Sequence, residues 1–194
     1  MKQAMMAAAG ILNLEPPRGS QAWTSGTQTF VVPPGVYSIC VAMQAAGAAG
    51  SSNSSGNGGN FRYVNDIKVT PGQTFSLTVG ATCSFGNYNT NQSINTVLRG
   101  ANGGSGASPS YGRFTQGGNA GGAGGSRDGW GFNLVNGSIS KPNSSVVSNG
   151  GQYGGGGGCS RDGNGNSTYR SGGSGQVRVM WGKGRAFPAT QLID

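Results

Sequence analysis

The chain has 194 residues, 40 of them glycine, so it fits one domain whose backbone is unusually poor in side chains. Only 9% of residues are charged and 34% are apolar; low charge argues against charge-driven disorder, and the apolar residues gather in runs, which points to a folded core with a side-chain-poor periphery. Thirteen basic against five acidic residues give a net charge of +8, and the absence of histidine excludes Ser-His-Asp and Cys-His catalysis.

Residues 1–20 read as an N-terminal docking arm. Met1 to Leu12 superficially suggests a signal peptide, but its apolar region is short and Glu15-Pro16-Pro17-Arg18 is a poor cleavage region. Pro16-Pro17 is stiff, and Arg18-Gly19-Ser20 releases the chain into a domain expected over 21–182. No apolar run is long enough to span a bilayer as a helix, so membrane insertion is not expected.

The first strand is predicted over Thr27–Val32, the turn at Pro33-Pro34-Gly35, and a second strand over Val36–Met43. In the second, Tyr37, Ile39, Val41 and Met43 share the bulkier face, which should meet the core. Trp23 is expected to cover an edge of that core. A small-residue excursion over 45–60 precedes an alternating run from Phe61 to Val69, a turn at Thr70-Pro71-Gly72-Gln73, and an amphipathic strand over Thr74–Val79. A polar loop carrying Cys83, Phe85 and Tyr88 follows, with a weaker strand marked by Ile94, Thr96 and Leu98.

From Gly100 to Gly125 the glycines fall in a near-triplet pattern compatible with polyproline-II-like chains, which glycine lets approach closely. The strict Gly-X-Y register of collagen is missing. Aromatic residues at Tyr111, Trp130, Phe132, Tyr153 and Tyr169 punctuate the glycine tracts. They are either anchors laid over glycine backbones or exposed contact residues, and the pattern leaves both readings open. The unbroken block Gly154–Gly158 leads, through Cys159 and a polar loop, to Gln176–Trp181. There Val177, Val179 and Trp181 alternate with Arg178 and Met180, as in a half-buried strand. This last strand is expected to close the sheet against Thr27–Val32, Val36–Met43 or Thr74–Val79.

Chemistry finds little purchase. Asp128 and Asp162 are the one carboxylate pair worth weighing for glycoside hydrolysis. Asp162-Gly163-Asn164-Gly165-Asn166 opens like a calcium loop, but Ser167 stands where glycine is wanted and Gly173 where the closing glutamate is wanted. The glycine runs lack the Lys-Ser/Thr ending of a phosphate loop. Cys40, Cys83 and Cys159 define no disulfide framework, and without histidine or a Cys-x-x-Cys pair no zinc site is expected. No cofactor, metal or enzymatic activity is expected. The cations are isolated and no Arg-Gly-Gly repeat occurs, so nucleic acid is not an expected partner; an anionic polysaccharide is the alternative use of the charge.

The residues from Thr29-Phe30-Val31-Val32-Pro33-Pro34-Gly35-Val36, through Val69-Thr70-Pro71-Gly72-Gln73-Thr74-Phe75-Ser76-Leu77-Thr78-Val79-Gly80, to Val177-Arg178-Val179-Met180-Trp181-Gly182-Lys183-Gly184-Arg185-Ala186-Phe187-Pro188 resemble the glycine-rich domain family of tailed-bacteriophage structural, tail-fibre and baseplate-associated proteins. The likeness covers roughly residues 21–188, although the glycine tracts here are more diluted by Ala, Ser and Asn. It implies a non-enzymatic virion component of the tail, fibre or baseplate, held to other virion proteins through its terminal segments. Arg185 and Phe187 in the C-terminal extension, residues 183–194, join the five glycine-tract aromatics as candidate contacts. A receptor-binding fibre-tip adhesin for host surface polysaccharide and a capsid decoration protein are the alternatives. A homo-oligomer is expected, with a trimer the form a fibre would need. The expected fold is all-β: a small β-sandwich or jelly-roll-like domain with glycine-rich loops, some of them polyproline-II-like.

Overall fold

A computed structural model describes residues 17–52, 54–106, 131–135, 138–140, 149–161, 164 and 166–188, and among them the fold is all-β. Five strands form one antiparallel sheet: β1 (Gly19–Trp23), β3 (Ser38–Gln44), β4 (Phe61–Lys68), β8 (Arg99–Ala101) and β13 (Gln176–Trp181), in the order β1-β13-β3-β4-β8. A second antiparallel sheet has the order β2-β5-β6-β7, from β2 (Gly26–Val31), β5 (Thr74–Val79), β6 (Ser84–Phe85) and β7 (Tyr88–Asn89). Three short hairpin pairings complete the description: β9 (Gly131–Phe132) with β10 (Ile139–Ser140), and β11 (Cys159–Arg161) with β12 (Ser167–Tyr169), beside the β6–β7 turn.

The alternation read in the sequence decides the packing. Ile39, Val41, Met43, Val177 and Val179 point from the first sheet into the main core, where Phe30, Leu77, Val79 and Phe85 meet them from the second. Aromatic rings knit this interface. Phe30 lies 6.1 Å from Trp23, 5.8 Å from Trp181 and 6.0 Å from Phe85, and Phe75 stacks on Phe85 at 4.9 Å. Pro33-Pro34-Gly35 carries the chain from one sheet to the other, with Gly35 at φ 77°.

Three expectations change. The closing strand β13 pairs with β1 and β3 only; Thr27–Val32 and Thr74–Val79 lie in the opposite sheet. Because β13 is an interior strand, its second face is buried as well: Arg178 and Met180 are as inaccessible as Val177 and Val179. Finally, residues 94–98 are not a strand, with bends at 96–98, and the short strand there is β8, which ends the sheet beside β4. Cys40, Cys83 and Cys159 are all buried free thiols.

The glycine tracts build a second body that continues the first sheet. Residues 45–50 follow β3, 55–60 precede β4, 102–106 follow β8 and 170–175 precede β13, all without strand or helix geometry. They keep the sheet's order. Segment 45–50 bonds to 55–60 (Ala45 N to Asn60 O, Ala48 N to Asn57 O) and, on its other side, to 170–175 (Gly47 N to Gly173 O, Gly50 N to Arg170 O). Segment 55–60 bonds in turn to 102–106 through Gly58 N and Gly104 O. Donors three residues apart reach acceptors three residues apart in the reverse direction. That is the signature of antiparallel chains with three residues per turn; of the Gly100–Gly125 run in which the sequence suggested polyproline-II-like chains, only 100–106 are among the described residues.

The block 154–158 lies across this layer and is wholly buried. It exchanges backbone hydrogen bonds with three of the four segments: Gly56 N to Gly157 O and Gly59 N to Gly154 O, Gly157 N to Ala48 O, and Gly173 N to Gly155 O. Here the absence of side chains is a steric requirement. A Cβ on Gly47 would collide with the carbonyl of Gly155, and one on Gly56 with the carbonyl of Ala48. Gly56→Ala is therefore expected to destabilise the protein by at least about 3 kcal/mol. Gly80→Ala, whose Cβ would meet nothing nearer than Thr82 O at 4.0 Å, should shift stability by less than about 1 kcal/mol. Chemical denaturation of the two variants checks both.

Candidate contact surfaces

The molecule has two unlike ends. At the base are the start of β1, the start of β3 and the ends of β4 and β13; Gly19 pairs with Trp181, and Gly182 sits against Arg18. The glycine body extends from the opposite ends of the same strands. Its far tip carries Ser51, Ser52 and Ser54 and the paired strands β11 and β12, joined where Ser167 Oγ donates to Ser52 O at 2.8 Å.

At the base, the chain beyond β13 turns back over the outer face of the first sheet. The turn uses two glycines with left-handed φ, Gly182 at 108° and Gly184 at 77°. Asn65 then latches the segment, since its side chain accepts from Phe187 N at 2.9 Å and donates to Phe187 O at 2.8 Å. Arg185 Nη1 donates to Gly19 O at 3.1 Å, and the Cys40 thiol donates to Arg185 O at 3.2 Å. Phe187 is buried with its ring 6.4 Å from that of Tyr63, in a second core cluster with Cys40, Ala42, Phe61, Leu134 and Met180. Residues 183–188 thus belong to the folded body, as do Gly19 and Ser20 at its other boundary.

This turn walls a groove of about 600 Å³. Lys68, Asp66, Lys183 and Arg185 line it, and Tyr37 supplies aromatic surface. Tyr37 is 62% exposed. Asp66 holds a left-handed φ of 58° at an irregular point of β4, where pairing with β3 shifts register. Burial pushes the Cys40 thiol, at the groove's floor, above the ordinary thiol range, and does the same to Cys83 in the main core.

The sequence-selected contacts do not form one site. Arg185 lines the base groove and Phe187 is a core residue that fixes the segment in place. Tyr169 lies at the far tip, 56% exposed. Tyr153 is half-buried in the turn leading into the central glycine block. The side chain of Phe132, and all of Tyr111 and Trp130, lie outside the described residues, as do both members of the Asp128–Asp162 pair; of the calcium-like run 162–166 only Asn164 and Asn166 are described. Sequence reasoning did not single out Tyr37, Asp66, Lys68 or Lys183. They are spread over three segments, and the only local signal was the Gly-Lys-Gly-Arg turn that brings the last of them back to the sheet. Among the described residues, no group of three His, Cys, Asp or Glu side chains converges as a metal site would require.

A scan against protein-family models and a search of curated proteins found no match to this chain.

Two outcomes follow from the latch and the thiols. Asn65→Ala removes both hydrogen bonds to Phe187 and should cost about 1–3 kcal/mol. Trypsin should then cleave native protein after Lys183 and Arg185 several-fold faster than it cleaves the wild type. Native Cys40 and Cys83 keep their protons where unfolded thiols, with a pKa of about 8.5, lose theirs. Their contribution to stability is complete below that pH and declines as pH rises through the higher folded values. The denaturation midpoint should fall above about pH 8.5, and less steeply in Cys83→Ala.

Proposed function

We propose that this chain is a non-enzymatic structural protein of a tailed-bacteriophage virion, belonging to the tail, fibre or baseplate and anchored through its base. The reading joins the resemblance of residues 21–188 to glycine-rich virion domains with one structural observation that carries it. The chain enters the fold at the base and its last described segment is latched on the same half of the sheet, whereas the glycine body projects from the opposite end. A module tethered by residues 1–16 and 189–194 would therefore present the glycine tip away from its mount. Assembly as a homo-oligomer fits a symmetric virion part.

Receptor binding at a fibre tip is a second reading, favoured by exposed Tyr169 on the tip hairpin. Particles carrying Tyr169→Ala would adsorb several-fold more slowly under that reading and normally under the purely structural one.

The anchoring proposal is tested by a chain that starts at Pro17 and so keeps every residue of β1. It should fold with the wild-type circular dichroism and melting temperature yet be missing from assembled particles. Normal incorporation would overturn anchoring through residues 1–16.

A further inference from the structure

We propose that two copies of this chain pair edge to edge along β2, antiparallel about a twofold axis, so that their second sheets join into one continuous sheet. The pairing supplies a contact for the homo-oligomer of the virion reading, yet it stands on the fold and would hold outside a virion.

β2 is an open edge without the usual protection. It lies at the end of the second sheet, bonded to β5 alone, and pairs with it over six residues without a register shift. Natural edges are blunted by charge, proline, bulges or shortness; Gly26–Val31 has none of these. Its residues other than Phe30 are exposed, Val31 at 54%. Val32 N donates to Gln73 O at 2.9 Å, so Gln28 and Phe30, which share its parity, bond inward to β5. Thr27, Thr29 and Val31 then turn their N–H and C=O groups to the open side. The other edges suit pairing less: β7 has two residues, β8 carries Arg99, and on β1 the carbonyl of Gly19 already accepts from Arg185.

Charge selects the occupant. The chain carries +8, yet no Asp, Glu, Lys or Arg occurs in residues 19–61 or 69–98, which hold the whole second sheet. Beside the edge, its outer face sets Thr27, Thr29 and Val31 next to Thr78, Ser76 and Thr74. An acidic partner has no cation to meet here. A second copy, repelled by the net charge of the first, can approach along this edge with no like charges opposed. The strand is also complementary to itself. An antiparallel twofold centred on Thr29 sets that residue opposite its own copy and Thr27 opposite Val31, and every outward N–H finds a C=O.

A six-residue edge is well short of the roughly 20–30 residues a side of a stable interface, so the dimer should be weak and concentration-dependent. Sedimentation equilibrium of the full chain over a concentration series should show monomer and dimer. Added salt should strengthen the dimer, because the contact holds no ion pair while the +8 molecules repel one another. Thr29→Pro removes an outward N–H and leaves the bonds to β5, and Thr29→Lys sets like charges opposite each other. Each should weaken the dimer at least about tenfold, with the melting temperature of the Lys variant close to wild type. Thr29→Cys tests the register. Facing its own copy at a Cα separation of about 5.5 Å, it should form an intermolecular disulfide on mild oxidation, and Thr27→Cys should do so several-fold less. The native thiols are buried and do not compete. A chain that stays monomeric throughout, a dimer that Thr29→Lys leaves as tight as before, or equal cross-linking at positions 27 and 29 would each overturn the pairing. Dimerisation of protein that is missing from particles would sink the virion assignment and leave the pairing standing.

Discussion

Backbone hydrogen bonds between glycine-rich segments hold the second body of this molecule together. The central block 154–158 is buried, yet it offers the core no apolar surface. Ordering glycine costs more backbone entropy than ordering any other residue. What offsets that cost is the number of peptide groups satisfied at close range on several sides at once, since buried amides and carbonyls left unpaired are costly. The contacts exist only while no Cβ intervenes, so glycine at positions such as Gly47 and Gly56 is set by neighbouring carbonyls more than by backbone flexibility.

The sandwich is what makes such a layer possible. Adjacent strands of the first sheet deliver the glycine segments already antiparallel and in order, so the glycine body inherits the sheet's register, with Asn60 and Asn57 side chains accepting from Gly103 N and Gly106 N to hold segment 102–106 in place. The junction is strengthened by buried polar groups. Gln44 donates to Gly59 O at 2.9 Å, and Arg62 donates to Phe61 O, Ala101 O, Gln92 O and Asn102 Oδ1. Arg178 plays the same part on the outer face, donating to Leu134 O, Val135 O and Ser20 Oγ. Both guanidiniums are buried among neutral acceptors, and desolvation lowers the pKa of Arg62. In a chain with few carboxylates, peptide carbonyls are the available partners for a buried planar donor.

Strands whose fate is settled by local alternation could be read directly. Thr74–Val79 and Gln176–Trp181 match their observed bounds; Ile39, Val41 and Met43 of the bulkier face of the Val36–Met43 run lie in the main core, but Tyr37 of that face is exposed and Val36 of the other joins the core from outside the strand. The three-residue spacing of the 45–50, 55–60 and 170–175 segments was not read from the sequence, since the near-triplet glycines stood out only over Gly100–Gly125. Gly19–Trp23 escaped because Gly-Ser-Gln-Ala-Trp carries no alternation; it is a strand only because β13 lies beside it. Partner choice for β13 escaped for a related reason, since either face of an antiparallel sheet accepts the same pattern. The groove was invisible because its cations become neighbours only when the 182–188 turn folds back, and Phe187 looked like a contact because an aromatic among glycines reads alike whether packed or exposed.

The interior position of β13 has a consequence for how the protein is made. The strand that sits between β1 and β3 is made more than 130 residues after either of them. Until it arrives, β1 has no neighbour in its sheet and one edge of β3 stays open. Folding by successive addition of hairpins is therefore closed to this chain, and the main sheet can be completed only once β13 has been made. A chain interrupted before Gln176 would leave a hydrophobic strand edge uncovered, and such an edge invites pairing with another copy.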